Sequence, residues 1–176
     1  HLAGMDDVRA YCFKQKMAMP LYASKNVQAS VKREFPYAFV SEEKDRYPGA
    51  PLLDLQHIDY TPFNAEGIDV IPIKVRHGKL SIHAFRIGDI TYITDANYIA
   101  PEEMDKIRGS RIVVMNALRP QPHHSHFTID QALAVIDELK PEQAYFTHIS
   151  HLLGKHEDVQ ATLPENVFLA YDGLTI

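Results

Sequence analysis

At 176 residues and 20.0 kDa the chain is long enough to bury a core as one domain, 1–176, and its 45% hydrophobic and 23% charged residues are ordinary for a soluble globular protein. The single cysteine, Cys12, excludes an internal disulfide framework and a Cys-rich metal site and suits a reducing cytoplasm, while no apolar run is long enough for a membrane span. A net charge of -5 disfavours a protein that grips long nucleic acid by its phosphates, but leaves a small anionic substrate open, because a bound metal supplies local positive charge.

In chain order, the sequence opens on His1 without an initiator methionine or an opening strand, and residues upstream are expected. The first helix is read from Gly4 to Tyr11, a short strand from Pro20 to Ala23, and a second helix from Lys25 to Phe35 with Val27 and Val31 at helical spacing. Residues 41–50 form a polar loop closed by Pro48 and Gly49. Leu53 to Ile58 reads as a strand. Phe63 and Ile68–Val75 flank the turn Asn64-Ala65-Glu66-Gly67, and Leu80–Ile87 and Ile90–Thr94 flank Gly88-Asp89, two hairpins.

Pro101 opens a helix with acids in its first turn, closed by Gly109. Ile112–Asn116 is almost wholly apolar, as buried strands are. Thr128-Ile129-Asp130-Gln131 has capping-box form and starts a helix to Lys140, followed by Pro141. Ala144–Thr147 is a strand, Glu157–Leu163 a short helix and Val167–Tyr171 a last strand. Hairpins followed by strand-helix alternation give an α/β sandwich with helices outside the sheets.

Ten histidines are the anomaly of the composition. Only His123 and His124 are adjacent; the pattern that matters is apolar runs ending in metal-competent side chains. Val70–Arg76 leads to His77, Ile90–Thr94 to Asp95, Ala144–Thr147 to His148, and Ile112–Asn116 to the segment carrying His123, His124 and His126. Side chains at one sheet edge are held by a rigid scaffold. Neutral imidazoles and one bridging carboxylate suit divalent transition metals, and a two-metal site generates hydroxide at neutral pH and clamps a phosphoryl group. Singly, each residue also has a plain reading: a structural or exposed histidine, or for Asp95 a turn aspartate.

Together these segments resemble the metallo-β-lactamase family. His1-Leu2-Ala3-Gly4-Met5-Asp6-Asp7-Val8-Arg9 is similar to the end of the signature Thr-His-x-His-x-Asp-His. His77-Gly78-Lys79-Leu80 with Phe85–Asp89 resembles the segment of the next histidine ligand, Ile93-Thr94-Asp95 the bridging-aspartate motif, and Thr147-His148-Ile149-Ser150-His151 the last ligand motif. Ser125-His126-Phe127-Thr128 resembles the segment that ribonuclease Z and the phosphoribosyl 1,2-cyclic phosphate phosphodiesterase group place beside the scissile phosphate.

The resemblance spans the whole chain and implies an αββα sandwich lacking its N-terminal portion. It implies two divalent ions, zinc or manganese and also iron, with His77 and Asp95 at one metal and His1, Asp95 and His148 at the other. His126 becomes the general acid, His151 a phosphate-orienting or supporting residue, and Asp172 a brace for a ligand histidine. His123 and His124 are expected to face solvent. His57, His83 and His156 are assigned to structure or surface, and Lys79 and Arg86 to a solvated edge or to the phosphate. The implied activity is hydrolysis of a small, including cyclic, phosphodiester; a lactonase or thioesterase on the same fold and an inactive fragment are the alternatives. A homodimer is compatible with the sequence, which does not specify oligomeric state. The His-x-His-x-Asp part of the signature is absent from these residues, and a site short of those ligands binds metal poorly unless another segment supplies them.

Overall fold

A computed structural model describes residues 2–39 and 47–176; His1 and most of the polar loop read at 41–50 lie outside them. The chain divides into two compact units, His1–Asp59 and Tyr60–Ile176.

The first unit has a 3₁₀ turn, Ala3–Val8, running into helix α1, Arg9–Gln15, which ends on Lys16 in the left-handed conformation. The helix read from Gly4 to Tyr11 therefore ends later than expected and opens on the tighter winding common at helix N-termini. Strand β1 (Met19–Ala23), helix α2 (Lys25–Glu34), a second 3₁₀ turn (Pro36–Phe39) and strand β2 (Leu53–His57) follow. β1 and β2 pair in parallel, from Met19 with Leu53 to Ala23 with His57. Of the two valines spaced for a buried stripe on α2, Val31 is buried and Val27 is exposed.

The second unit is built on an eight-stranded mixed sheet. Its strands are β3 (Phe63–Ala65), β4 (Ile68–His77), β5 (Leu80–Ile87), β6 (Ile90–Ile93), β7 (Tyr98–Ile99), β8 (Ile112–Asn116), β9 (Gln143–Thr147) and β10 (Val167–Leu169). The order is β10-β9-β8-β6-β5-β4-β3, with β7 added on β4. Both expected hairpins form. The first turn is narrower than read, because Asn64 and Ala65 stay in strand β3 and the bend falls on Glu66 and Gly67. Both of these have positive φ, as a two-residue hairpin turn requires, and the Asn64 side chain accepts the Gly67 N–H. The two-residue β7 was not foreseen, being too short to show a period.

Helices α3 (Pro101–Ile107) and α4 (Ile129–Leu139) bury Met104, Ile107, Ala132 and Ile136 against alternate residues of the sheet, including Ile73, Val75, Ile93, Val113, Met115, Ala144 and Phe146. This period-2 selection makes one face of the sheet the core. Arg86, a phosphate candidate by charge, instead donates to the carbonyls of Gly88, Lys106, Arg108 and Gly109 and so closes the end of α3. Helix α5 covers only His156–Gln160, and β10 stops at Leu169, each shorter than read. Gln160 reaches from α5 to bond the N–H of Leu169 and the carbonyl of Val167, so a side chain rather than a further residue of strand finishes that edge. Among the described residues no helix is long and apolar enough to cross a membrane.

The capping box is formed as written: the Thr128 hydroxyl accepts the Gln131 N–H and the Gln131 side chain accepts the Thr128 N–H. Thr128→Ala is expected to cost about 1 kcal/mol of unfolding free energy in urea titration. No loss would mean that packing of Ala132 and Ile136 alone holds the start of α4.

Candidate metal centre

Strand direction assembles the site. β4 and β6 are each antiparallel to β5, so they run the same way, and β8 and β9 are parallel to β6. Four strands therefore end at one edge, where His77 closes β4, Asp95 follows β6, the 117–127 segment follows β8 and His148 follows β9. Two of these turns are unusual. Among the described residues, non-glycine positive φ occurs at Lys16, Glu66, Asp95, Lys140 and His148. Lys16 and Lys140 close helices and Glu66 makes a hairpin turn, but Asp95 (φ 57) and His148 (φ 55) serve neither purpose. Left-handed backbone at a non-glycine residue costs on the order of 1 kcal/mol or more and persists where the surroundings enforce it. Here it turns both side chains out of the strand direction at the same edge.

The ligand-competent atoms of His77, Asp95 and His126 lie within 4.8 Å of one another. Asp95 Oδ1 is 3.3 Å from His126 Nε2 and 3.4 Å from His148 Nε2, and the His126 ring stacks on that of His148. These separations are long for a charge-assisted hydrogen bond but match the roughly 3.4 Å between two ligands of a tetrahedral ion held at about 2.0–2.1 Å. The donor set, imidazole nitrogens with one carboxylate, fits a divalent transition metal. His77 is oriented for this: its Nδ1 donates to the Ser125 carbonyl at 3.0 Å, which leaves Nε2 with a free lone pair.

Burial pushes Asp95 up, but the Thr94 hydroxyl, the His126 ring and the charges of His148 and His126 outweigh it and hold the carboxyl below its usual range. Burial lowers His126, the Asp95 carboxylate works against this, and His148, His77 and His123 add to the lowering.

Two asparagines hold the turns. Asn116, fully buried at the end of β8, accepts the Ala96 N–H at 2.7 Å and donates to the Ala96 carbonyl at 2.9 Å. Its amide continues the β6–β8 ladder after the backbone of β6 has stopped. Asn97 accepts the Gly78 N–H and donates to the His124 carbonyl, joining the turns that carry His77, Asp95 and His126. Gly78 has φ 62, a left-handed conformation that suits glycine, although a Cβ there would find room beside Ser125 and the His124 carbonyl.

Of the residues picked from the sequence, His77, Asp95, His126 and His148 come together, and His1 lies outside the described residues. His151 and Asp172 are exposed and neither hydrogen-bonds to this cluster. His123 departs from expectation: it is half-buried, with Nδ1 2.9 Å from His126 Nδ1. His83 stacks between Tyr60 and Phe85, His156 bonds the Leu169 carbonyl and His57 is exposed, all structural or surface roles. Asn97 and Asn116 were missed, although a polar residue closing the apolar run Ile112–Met115 was a usable signal. A crevice of about 350 Å³ lined by Leu133, Ile136, Pro141, Pro164 and Val167 opens at the opposite end of β9 and β10, away from the histidines.

Asn116→Ala leaves the N–H of the buried Ala96 unpaired, at roughly 1–3 kcal/mol, while the Ala96 carbonyl keeps only the Phe127 N–H. We expect a clear drop in urea stability together with a fall in zinc affinity on the order of tenfold. A variant that kept both would remove the tethering role.

Comparison with known proteins agrees with this architecture. Residues 1–149 match the family model described as a beta-lactamase superfamily domain. The chain is similar to the crystal structure of a diphosphatase from the PhnP family, at 33% identity over 98% of this chain and 64% of that one, with a TM-score of 0.86. It shares its fold with zinc-bound PqqB from Methylobacterium extorquens, at 14% identity over 99% of this chain and 68% of that one and a TM-score of 0.70. It is also 34% identical over 176 residues to an octanoyltransferase of Porphyromonas gingivalis, covering 99% of this chain but only 35% of that protein. The chain thus spans about a third of that curated relative and just under two thirds of the diphosphatase. On the family match and the shared architecture, the chain belongs to the beta-lactamase superfamily and has the metallo-β-lactamase fold.

Proposed function

We propose that the intact protein is a metal-dependent phosphodiesterase acting on a small phosphodiester, cyclic forms included. The observation that carries this reading is that His126, on its own segment after β8, brings Nε2 to 3.3 Å from the Asp95 oxygen that also faces His148. The similarity to a PhnP-family diphosphatase supports a phosphate-centred substrate and adds a diphosphate linkage as a second bond to try. Divalent metal at this edge supplies an activated water and neutralises phosphoryl charge. The zinc of PqqB supports zinc, and the same donors suit manganese or iron.

His77, Asp95 and His148 are the ligands in this proposal; His1, the ligand that the family resemblance adds, lies outside the described residues. The Ser125 carbonyl holds the His77 ring, and the Thr94 hydroxyl occupies Asp95 Oδ2 so that Oδ1 faces the imidazoles. His126 protonates the leaving oxygen. The octanoyltransferase similarity does not redirect the reading, because the chain covers a minority of that protein.

A second role for His126 is favoured by its place in the three-residue group: it serves as a ligand itself. One variant separates the two. As general acid, His126→Ala retains metal and loses about 10²–10⁴-fold in turnover of a diester with a poor leaving group, with much less loss for an activated aryl diester. As ligand, the same variant loses metal and slows both substrates alike.

The intact protein is expected to carry about two divalent ions per chain by elemental analysis. Asp95→Asn should lower both metal content and activity; full activity in that variant would remove the bridging-ligand proposal.

A further inference from the structure

His123 has no place in the ligand set or in the proposed chemistry, yet it is built into the site. Its Nδ1 lies 2.9 Å from Nδ1 of the buried His126. A nitrogen-nitrogen contact this short needs one donor and one acceptor. The Ser125 backbone settles which is which, because its N–H points at His123 Nδ1 at 3.4 Å and a backbone N–H can only donate. His123 Nδ1 is then the acceptor and carries no hydrogen, and His126 Nδ1 is the donor. The hydrogen of neutral His126 therefore sits on Nδ1, and its lone pair sits on Nε2, the atom aimed at Asp95. The Ser125 hydroxyl lies 3.1 Å from His126 Nδ1 and 3.3 Å from His123 Nδ1, so it is a rival partner for the same hydrogen.

We infer that His123 is a positioning residue for His126: it accepts the Nδ1 hydrogen, sets the tautomer and ring plane, and makes Nε2 the working nitrogen. The inference deepens the proposed function, since a working nitrogen matters only if the edge holds metal and substrate. It holds for either role of His126. A ligand needs a bare Nε2 beside a satisfied Nδ1–H, and an acid needs Nε2 to be the nitrogen that gains and gives the proton.

The test is nitrogen NMR on the full chain labelled with ¹⁵N-histidine, recorded with and without added zinc, beside steady-state kinetics on a diester with a poor leaving group. In the wild-type protein His126 Nδ1 is expected to carry the hydrogen under both conditions and to show scalar coupling across the N–H···N bond to His123. His123→Ala should abolish that coupling, let the hydrogen partition between the two ring nitrogens, and lower kcat on the order of tenfold or more with KM little changed. His123→Asn, whose side-chain oxygen can accept the same hydrogen, should restore the tautomer and most of the rate. A bare Nδ1 in the wild-type chain overturns the inference. So does a tautomer that His123→Ala leaves alone and Ser125→Ala shifts, which would give the role to the hydroxyl. Absence of phosphodiester turnover in the wild-type protein, with the coupling present, would instead overturn the functional reading and leave the His123–His126 bond standing.

Discussion

The site depends on a single substitution of side chain for backbone at the end of a parallel ladder. β6 and β8 pair from Ile90 with Ile112 to Ile93 with Met115, and there β6 ends. Beyond that point the chain enters a left-handed turn at Asp95, which a continuing ladder would not permit. Asn116 takes over by bonding both the N–H and the carbonyl of Ala96 with its amide. The strand is released and its continuation is still held, so Asp95 can leave the strand direction without the loop coming loose. The second hold is backbone to backbone: the Ala96 carbonyl also accepts the Phe127 N–H, tying the aspartate turn to the segment of His126. That segment is anchored in turn by the capping box of α4, two residues beyond His126.

Much of this was legible in the residues. Asparagine, aspartate and glycine at the two hairpins, the Thr128–Gln131 pair and the Pro101 start act over a few residues, and local chemistry of that kind survives folding. The edge positions of His77, Asp95 and His148 were also readable, because each closes an apolar run. Three features were not. Parallel pairing of β6, β8 and β9 is a long-range choice across intervening helices, and no local signal states it. The left-handed φ at Asp95 and His148 is imposed by neighbours on residues that do not demand it, whereas Gly78 announces its own. The pairing of His123 with His126 depends on the fold of the 117–127 segment, so adjacency to His124 misleadingly suggested a solvent-facing pair.

The arrangement also bears on the proposed metal. Asp95 Oδ1 faces the Nε2 atoms of both His126 and His148, while its other oxygen is satisfied by Thr94. With its hydrogen on Nδ1, neutral His126 turns an Nε2 lone pair toward the carboxylate, a contact that a proton or, in the proposed function, a metal would relieve. Protons would put two like-charged rings face to face, with His126 stacked on His148 and His77 edge-on at 4.8 Å. In the proposed function a metal ion would take up the donor atoms without that charge repulsion, and the observed spacing suits it.

The partners of the histidines then fix which nitrogen of each ring is free. His77 is held by a backbone carbonyl, which can only accept, so its Nδ1 hydrogen is permanent and its Nε2 is always available. That fixity is what a metal ligand needs. His126 is held by another imidazole and a hydroxyl, and the hydrogen that its Nδ1 donates to His123 stays in place whether or not Nε2 carries a proton. A group that hands over a proton and takes another back has to tolerate both states in place. Carbonyl and imidazole partners alike thus leave Nε2 as the working atom, which serves the proposed ligand His77 and His126 in either of its proposed roles.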